Sequence, residues 1–170
     1  MRRNAWEFII LTGLRTNEAR CLEWSEVDLD NAVVTIRAER MKGGRVHRVP
    51  LCDRAVEILA ARKSLSANLP IKHVFADVGR DAIADLNKML TGATVHGWRS
   101  TFRQWLSDHG RISYEACELA LAHQIATTKA ARAYLRDADQ LEVRRSAMQA
   151  WQRHLDAPAD AKVVPIRAAS

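Results

Sequence analysis

The segment of this 170-residue chain that most narrows its fold is NAVVTIRAERMKGGRVHRVPL, residues 31–51. AVVTI is rich in β-branched residues, GG marks a turn, and RVHRV alternates. That pattern predicts an antiparallel hairpin, residues 33–41 paired with about 45–49, which Pro50 closes. HVFA, residues 73–76, reads as a short third strand. Nearly everything else carries helical signals. The fold class is therefore α+β, mostly α-helical, with one small antiparallel sheet.

The helical pattern opens at residues 4–13, and Gly13 ends it. Thr16 is placed to cap a second helix, TNEARCLEW. Ser25 with Asp28 resembles a capping box for one more short turn. Asp53 is expected to cap a helix reaching about residue 63, and SLSANLPIK reads as a loop. Residues 80–90 form the next helix, with Gly92 after it. Thr94 opens VHGWRSTFRQWLSDH, which Gly110 stops. Helices follow at about 113–122, 128–136 and 138–155. In the last, Leu141, Met148, Trp151 and Leu155 share one stripe at helical spacing. From Asp156 the composition shifts to Ala, Pro and Asp, which reads as a tail.

Composition limits the function classes. Apolar residues make up 48 %, enough for a real core in one domain. Lys and Arg total 26 against 20 Asp and Glu, a formal charge of +6. Such a balance suits a polyanion, usually nucleic acid, and equally a solvated surface. Cys21, Cys52 and Cys117 are widely spaced, with no CxxC pair or zinc spacing, and read as reduced thiols of a cytoplasmic protein. FIIL near the start is broken by Thr12, Gly13 and Arg15, too short for a signal or a membrane span. Asp28 and Asp30 form a lone DxD, better read as turn and strand-start residues than as metal ligands.

A helical wheel from Trp98 places Trp98, Phe102 and Trp105 within about 60° of one another, a core stripe. Arg99 and Arg103 flank it on one side, joined by His96 if the helix reaches back that far. An isolated HxxR is most simply two exposed polar residues. Arg15 lies in TGLRTNE between two helices, where free N-terminal amides and a guanidinium make an oxyanion site. Its plain alternative is a helix-end arginine paired with Glu18. Lys42 sits at the hairpin tip, where a solvated turn lysine is the usual case. His123 ends LALAH, where a histidine can simply satisfy terminal carbonyls. Tyr134, in AARAYLR, can equally be a partly buried aromatic.

Taken in order, TGLR with Glu18, the hairpin lysine followed by HRVPL, then HGWRSTF, LAH and AYLR, closely resemble the tyrosine recombinases. The likeness is greatest to the catalytic domain of bacteriophage-type integrases and runs from about Ala5 to Leu155. It implies that family's catalytic-domain fold and an active site of Arg15, Lys42, His96, Arg99, His123 and Tyr134, with Glu18 as an acid supporting the first arginine. Arg40 and Arg45 lie close enough to Lys42 to compete for its assignment. The implied chemistry is DNA integration and recombination through a covalent 3′-phosphotyrosine at Tyr134, without metal or cofactor. Two guanidiniums would clamp the non-bridging oxygens, Lys42 would protonate the leaving 5′-oxygen, and His96 would take the tyrosine proton or bond the phosphate. Implied partners are double-stranded DNA carrying attachment sites and further protomers, a tetramer on DNA. Arg37, Arg40, Arg45, Arg48, Arg103, Lys129, Arg132 and Arg136 are candidates for phosphate contact.

These readings give a catalytic domain over residues 1–155 and a tail over 156–170. The separate N-terminal DNA-clamping domain usual in such integrases is expected to be absent from this chain. Two rivals stand beside the recombinase: a decayed integrase that only binds DNA, and an enzyme like the type IB topoisomerases. The HGWR and LAH contexts favour the recombinase.

Overall fold

The structure, a computed structural model, describes residues 2–67, 69–79, 81–92, 94–123 and 137–157. The helix expected at 128–136 and nearly all of the tail lie outside the described residues.

Helix α1 (Arg2–Thr12) is buried through Ala5, Phe8, Ile9, Ile10 and Leu11. It ends where expected. Gly13 takes a left-handed φ of 64° and donates its N–H to Ile9 O at 2.9 Å. A Cβ at Gly13 would stand 2.7 Å from Phe102 Cδ1, so both the backbone angle and the packing exclude a side chain there. The glycine of TGLR thus lets the end of α1 sit directly against Phe102.

Helix α2 (Thr16–Arg20) is shorter than expected, and its N-cap is Arg15 rather than Thr16. Glu18 does the capping: its Oε2 accepts the Arg15 N–H at 2.8 Å. The Ser25–Asp28 box is likewise replaced. A 3-10 turn (Trp24–Glu26) forms with Glu23 as its N-cap, and Glu26 accepts the Glu23 N–H at 3.0 Å. Asp28 instead binds Asn31 through its N–H and Nδ2, at 2.9 and 2.7 Å, and closes the β-turn that follows.

The sheet has order β1-β2-β3 and is antiparallel throughout, with β1 (Val27–Asp28), β2 (Val33–Ile36) and β3 (His47–Pro50). Val34 faces Val27 on one side and Val49 on the other. The hairpin is real but shorter than expected. Residues beyond Ile36 leave the ladder for a 3-10 turn (Ala38–Arg40), so the loop carrying Lys42 is longer than a tight turn. The third strand is not at 73–76. His73 makes only an isolated bridge to Glu23. Arg62 then binds Val74 O through Nε and Nη2 at 3.0 and 2.8 Å and pairs with Asp77, pulling that segment onto helix α3 (Asp53–Ser66) instead of the sheet. Phe75 is fully buried against Phe8, their ring centroids 5.5 Å apart.

Among the described residues α3 (Asp53–Ser66), α4 (Ala82–Thr91), α5 (Val95–His109) and α6 (Tyr114–Ala120) follow the sheet, ahead of one last helix. In α3 the N-cap is Cys52, and Asp53 is the first helical residue, where its charge still suits the dipole. The helix runs through residues 64–66, which the sequence reads as loop. Gly92 ends α4 at φ 68°. Thr94 caps α5 by accepting the Gly97 N–H at 3.1 Å, and Ser113 caps α6 from Ala116 at 3.2 Å.

Helix α7 (Asp137–Asp156) packs on its expected stripe, with Leu141, Met148 and Trp151 buried. It is also stitched across the fold. Trp151 Nε1 donates to Ile10 O at 2.9 Å, Arg144 to Arg48 O at 2.8 Å, and Arg145 to Ala32 O at 3.0 Å. Phe102 and Trp105 meet the Trp151 ring at 5.4 and 5.3 Å. Removing that indole would cost ~3–5 kcal/mol of stability.

Candidate active site

Four of the six catalytic candidates named from sequence, Arg15, Lys42, His96 and Arg99, line one cleft. It has a volume of about 570 Å³, and Arg15, Arg20, Arg40, Lys42, His96 and Arg99 line it together with Glu18. The α1–α2 junction supplies Arg15, the start of α5 supplies His96 and Arg99, and the hairpin loop supplies Lys42.

Arg99 is the keystone. It is 6 % exposed, not on the surface as an isolated HxxR would suggest. Nη1 donates to Gly13 O, and Nη2 donates to Leu121 O at 2.8 Å. One planar fork therefore ties the turn that ends in Arg15 to the turn that ends in His123. Two of five donors are used, leaving three for a ligand. Burial first, and then the neighbouring Arg15, push its pKa down to about 10, with Glu18 opposing. It stays charged at neutral pH.

Glu18, 7 % exposed, balances this pair of like charges. Its Oε1 accepts from Arg15 Nη1 at 2.7 Å while Oε2 caps the backbone. The plain reading of Arg15, a helix-end arginine paired with Glu18, is thus correct as geometry. Arg15 lines the cleft while so paired.

His123 lies beside this cleft, not in it. With Met41, Gly43, Arg45, Val46 and His47 it lines a smaller pocket of about 90 Å³. Its Nδ1 is 2.7 Å from Glu118 Oε2. Burial raises the Glu118 pKa, but His123 and Arg103 outweigh it and hold the carboxyl low. An ionised carboxylate only accepts, so Nδ1 carries the hydrogen and Nε2 is the nitrogen left for a ligand. Arg103 braces the same carboxylate from Nε and Nη2 at 3.0 and 2.9 Å, so its guanidinium is committed to the protein.

His96 and Lys42 are exposed. Arg40, expected on DNA, is turned to Glu26 and to Glu18 O, the latter at 3.2 Å, and buttresses the cleft wall. Arg37 pairs with Glu23 at 3.0 Å. Arg45 is exposed beside His123, and Arg48 is half-buried on β3. Lys129, Arg132, Tyr134 and Arg136 lie outside the described residues.

Sequence reading missed three residues. Glu118 stands five positions before His123 and fixes its tautomer. His47 is 7 % exposed on β3 and faces Arg144, Glu18, Arg99 and Arg15; burial above all, then Arg144, pushes its pKa down to about 4. Its signal was the alternation of RVHRV, which turns His47 to the side of Val49. Arg20 stands four residues after Thr16 on the helix face along the cleft.

A buried Arg99, a Glu18-paired Arg15, and exposed Lys42 and His96 around one open cleft make a site chemically suited to an oxyanion. The comparisons make the class specific: the chain belongs to the phage integrase family, which it matches over residues 1–140. It is similar to prophage integrase IntZ of Escherichia coli strain K12, 35 % identical over 161 residues, covering 91 % of this chain and 39 % of that protein. It therefore spans about two fifths of the length of that curated relative. Among solved structures it resembles XerA recombinase, with a TM-score of 0.58 at 21 % identity over 90 % of this chain and 56 % of that one. It also resembles the Tn1549 transposon integrase solved with transposon right-end DNA, with a TM-score of 0.50 at 17 % identity over 78 % and 57 %. At those identities the likeness concerns the fold.

Proposed function

We propose that this chain is the catalytic portion of a site-specific DNA recombinase, acting on attachment sites in bacterial DNA within the cytoplasm as one protomer of a tetramer. The observation that carries the reading is the Arg99 fork, which joins the Arg15 and His123 turns and leaves its remaining donors to the cleft. Duplex DNA enters with its scissile phosphate between Arg15 and Arg99. The two guanidiniums neutralise the non-bridging oxygens, where charge grows in the transition state. Tyr134 Oη attacks phosphorus and passes its proton to His96. The bond from phosphorus to the 5′-oxygen breaks, and Lys42 gives that oxygen a proton. His123, oriented by Glu118, donates from Nε2 when protonated. A 3′-phosphotyrosine remains and preserves the ester's energy. A 5′-hydroxyl from a partner strand then attacks it, the tyrosine leaves, and the protons return. The steps need only positioned protein groups. The family membership and the DNA-bound state of a structural neighbour both support the reading.

The test is a nicked suicide duplex carrying the attachment site, resolved on a denaturing gel. A covalent adduct that disappears in Tyr134→Phe supports the proposal. Binding without adduct supports instead a module that only occupies DNA. With about six phosphate contacts, affinity falls by ~10³ between about 50 and 200 mM salt.

A further inference from the structure

Three of the four arginines in the cleft are held by the protein. Arg15 rests on Glu18, Arg40 on Glu26 and Glu18 O, and Arg99 on Gly13 O and Leu121 O. Arg20 differs. It is half-buried, lines the cleft, and pairs with no carboxylate among the described residues. Its Nε is buried without a hydrogen-bond partner. A buried charged donor without an acceptor is costly, so the folded chain alone leaves this group incomplete. Because Nε is closed to solvent, the acceptor must be anionic, enter from the open side of the cleft, and meet the fork at its terminal nitrogens, which make no hydrogen bond among the described residues. A phosphate oxygen meets all three conditions.

We propose that Arg20 binds a second DNA backbone phosphate, adjacent to the scissile one held by Arg15 and Arg99. Thr16 and Asn17, which line the same wall, border this subsite. The inference rests on the reading that the cleft takes DNA, and it adds a contact that the signature motifs omit. It also exchanges two roles: Arg40, assigned to DNA from sequence, buttresses the wall, and Arg20 meets the nucleic acid. Arg20 sets the strand's register without touching the reacting atoms.

The test is a methylphosphonate scan. Single phosphates around the cleavage point are neutralised in turn, and duplex affinity and adduct formation are measured for the full chain, Arg20→Ala and Arg20→Gln. Thermal melting checks that both variants fold, and Arg20→Gln keeps the stem packing if Arg20→Ala does not. One non-scissile methylphosphonate is expected to weaken the parent about tenfold or more and leave the variants unaffected. The slope of log affinity against log salt falls by about one in the variants. If the parent forms adduct while the variants keep its full profile and salt slope, Arg20 makes no such contact and the recombinase reading stands. If the parent neither binds nor cuts DNA, both fall.

Discussion

The two sides of the cleft are held in different ways. On one side Arg15, Arg99 and Glu18 are locked by backbone carbonyls, a cap and an ion pair before any ligand arrives. On the other, His96 and Lys42 are exposed, and neither has a hydrogen-bond or ion-pair partner among the described residues. In the proposed reaction the locked side supplies what must not move, the charge that would meet the phosphate oxygens. The open side would supply what must move, the groups that trade protons with attacking and leaving atoms. Locking has a cost in folding free energy, because like charges are gathered where water is scarce. The locked side should therefore dominate stability measurements, and the open side should be nearly silent in them.

The largest expected effect comes from His47, behind the locked side. Its pKa is pushed from 6.5 to about 4, so the folded state prefers the neutral ring. Stability is complete above about pH 6.5 and is lost as pH falls toward 4, a change of ~3 kcal/mol. Glu23 and Glu118 are held below their ordinary value of 4.5, and Asp28 and Asp77 below 3.8, so their contributions are lost as pH falls below those values. The upper part of the window, from 6.5 down to about 4.5, therefore reports His47. Melting temperature followed across it should drop steeply in the parent and stay nearly level in His47→Gln. Equal slopes would mean that neither burial nor the neighbouring arginines hold the imidazole neutral.

Glu18→Ala comes next. It removes the Arg15 cap and the carboxylate that offsets the repulsion between Arg15 and Arg99. Because Arg15 is about one-third exposed, solvent screens part of the loss, and ~2 kcal/mol is the expected cost. Urea unfolding measures it. Glu18→Gln, which keeps the cap geometry but not the charge, should fall between the two. A Glu18→Ala variant as stable as the parent would show that the arginines need no counter-charge, and the contrast between the sides would fail.

Sequence and structure part company at the same boundary. Local signals were legible: Gly13, Gly92 and Thr94 punctuate the helices where the sequence puts them, and the α7 stripe is buried. Arg15, Lys42, His96 and Arg99 meet in one cleft, as their motif order implied. What failed depends on distant partners. HVFA has β-type residues, yet Arg62 from α3 claims its backbone, and the two-residue strand Val27–Asp28 takes the third place. Arg40 and Arg20 look alike as sequence. Only the fold shows that Glu26 sits beside one and not the other. Glu118 reads as a helix glutamate until the turn at Ala122, φ 51°, brings His123 back over it.

The smallest effect tests the open side. Lys42→Ala should change unfolding free energy by less than ~0.5 kcal/mol, since an exposed loop side chain contributes little to the folded state. The same variant should form adduct ~10²–10⁴-fold more slowly, because the 5′-oxygen then leaves without a proton donor. A duplex with sulfur in place of that bridging oxygen separates the two roles open to Lys42. A thiolate leaves without protonation, so the variant should recover near-parent rates on it if Lys42 is the acid. If Lys42 only anchors DNA, the sulfur substrate stays slow and added protein restores the rate. Loss of stability in Lys42→Ala would place the lysine on the locked side, and the division of the cleft would have to be redrawn.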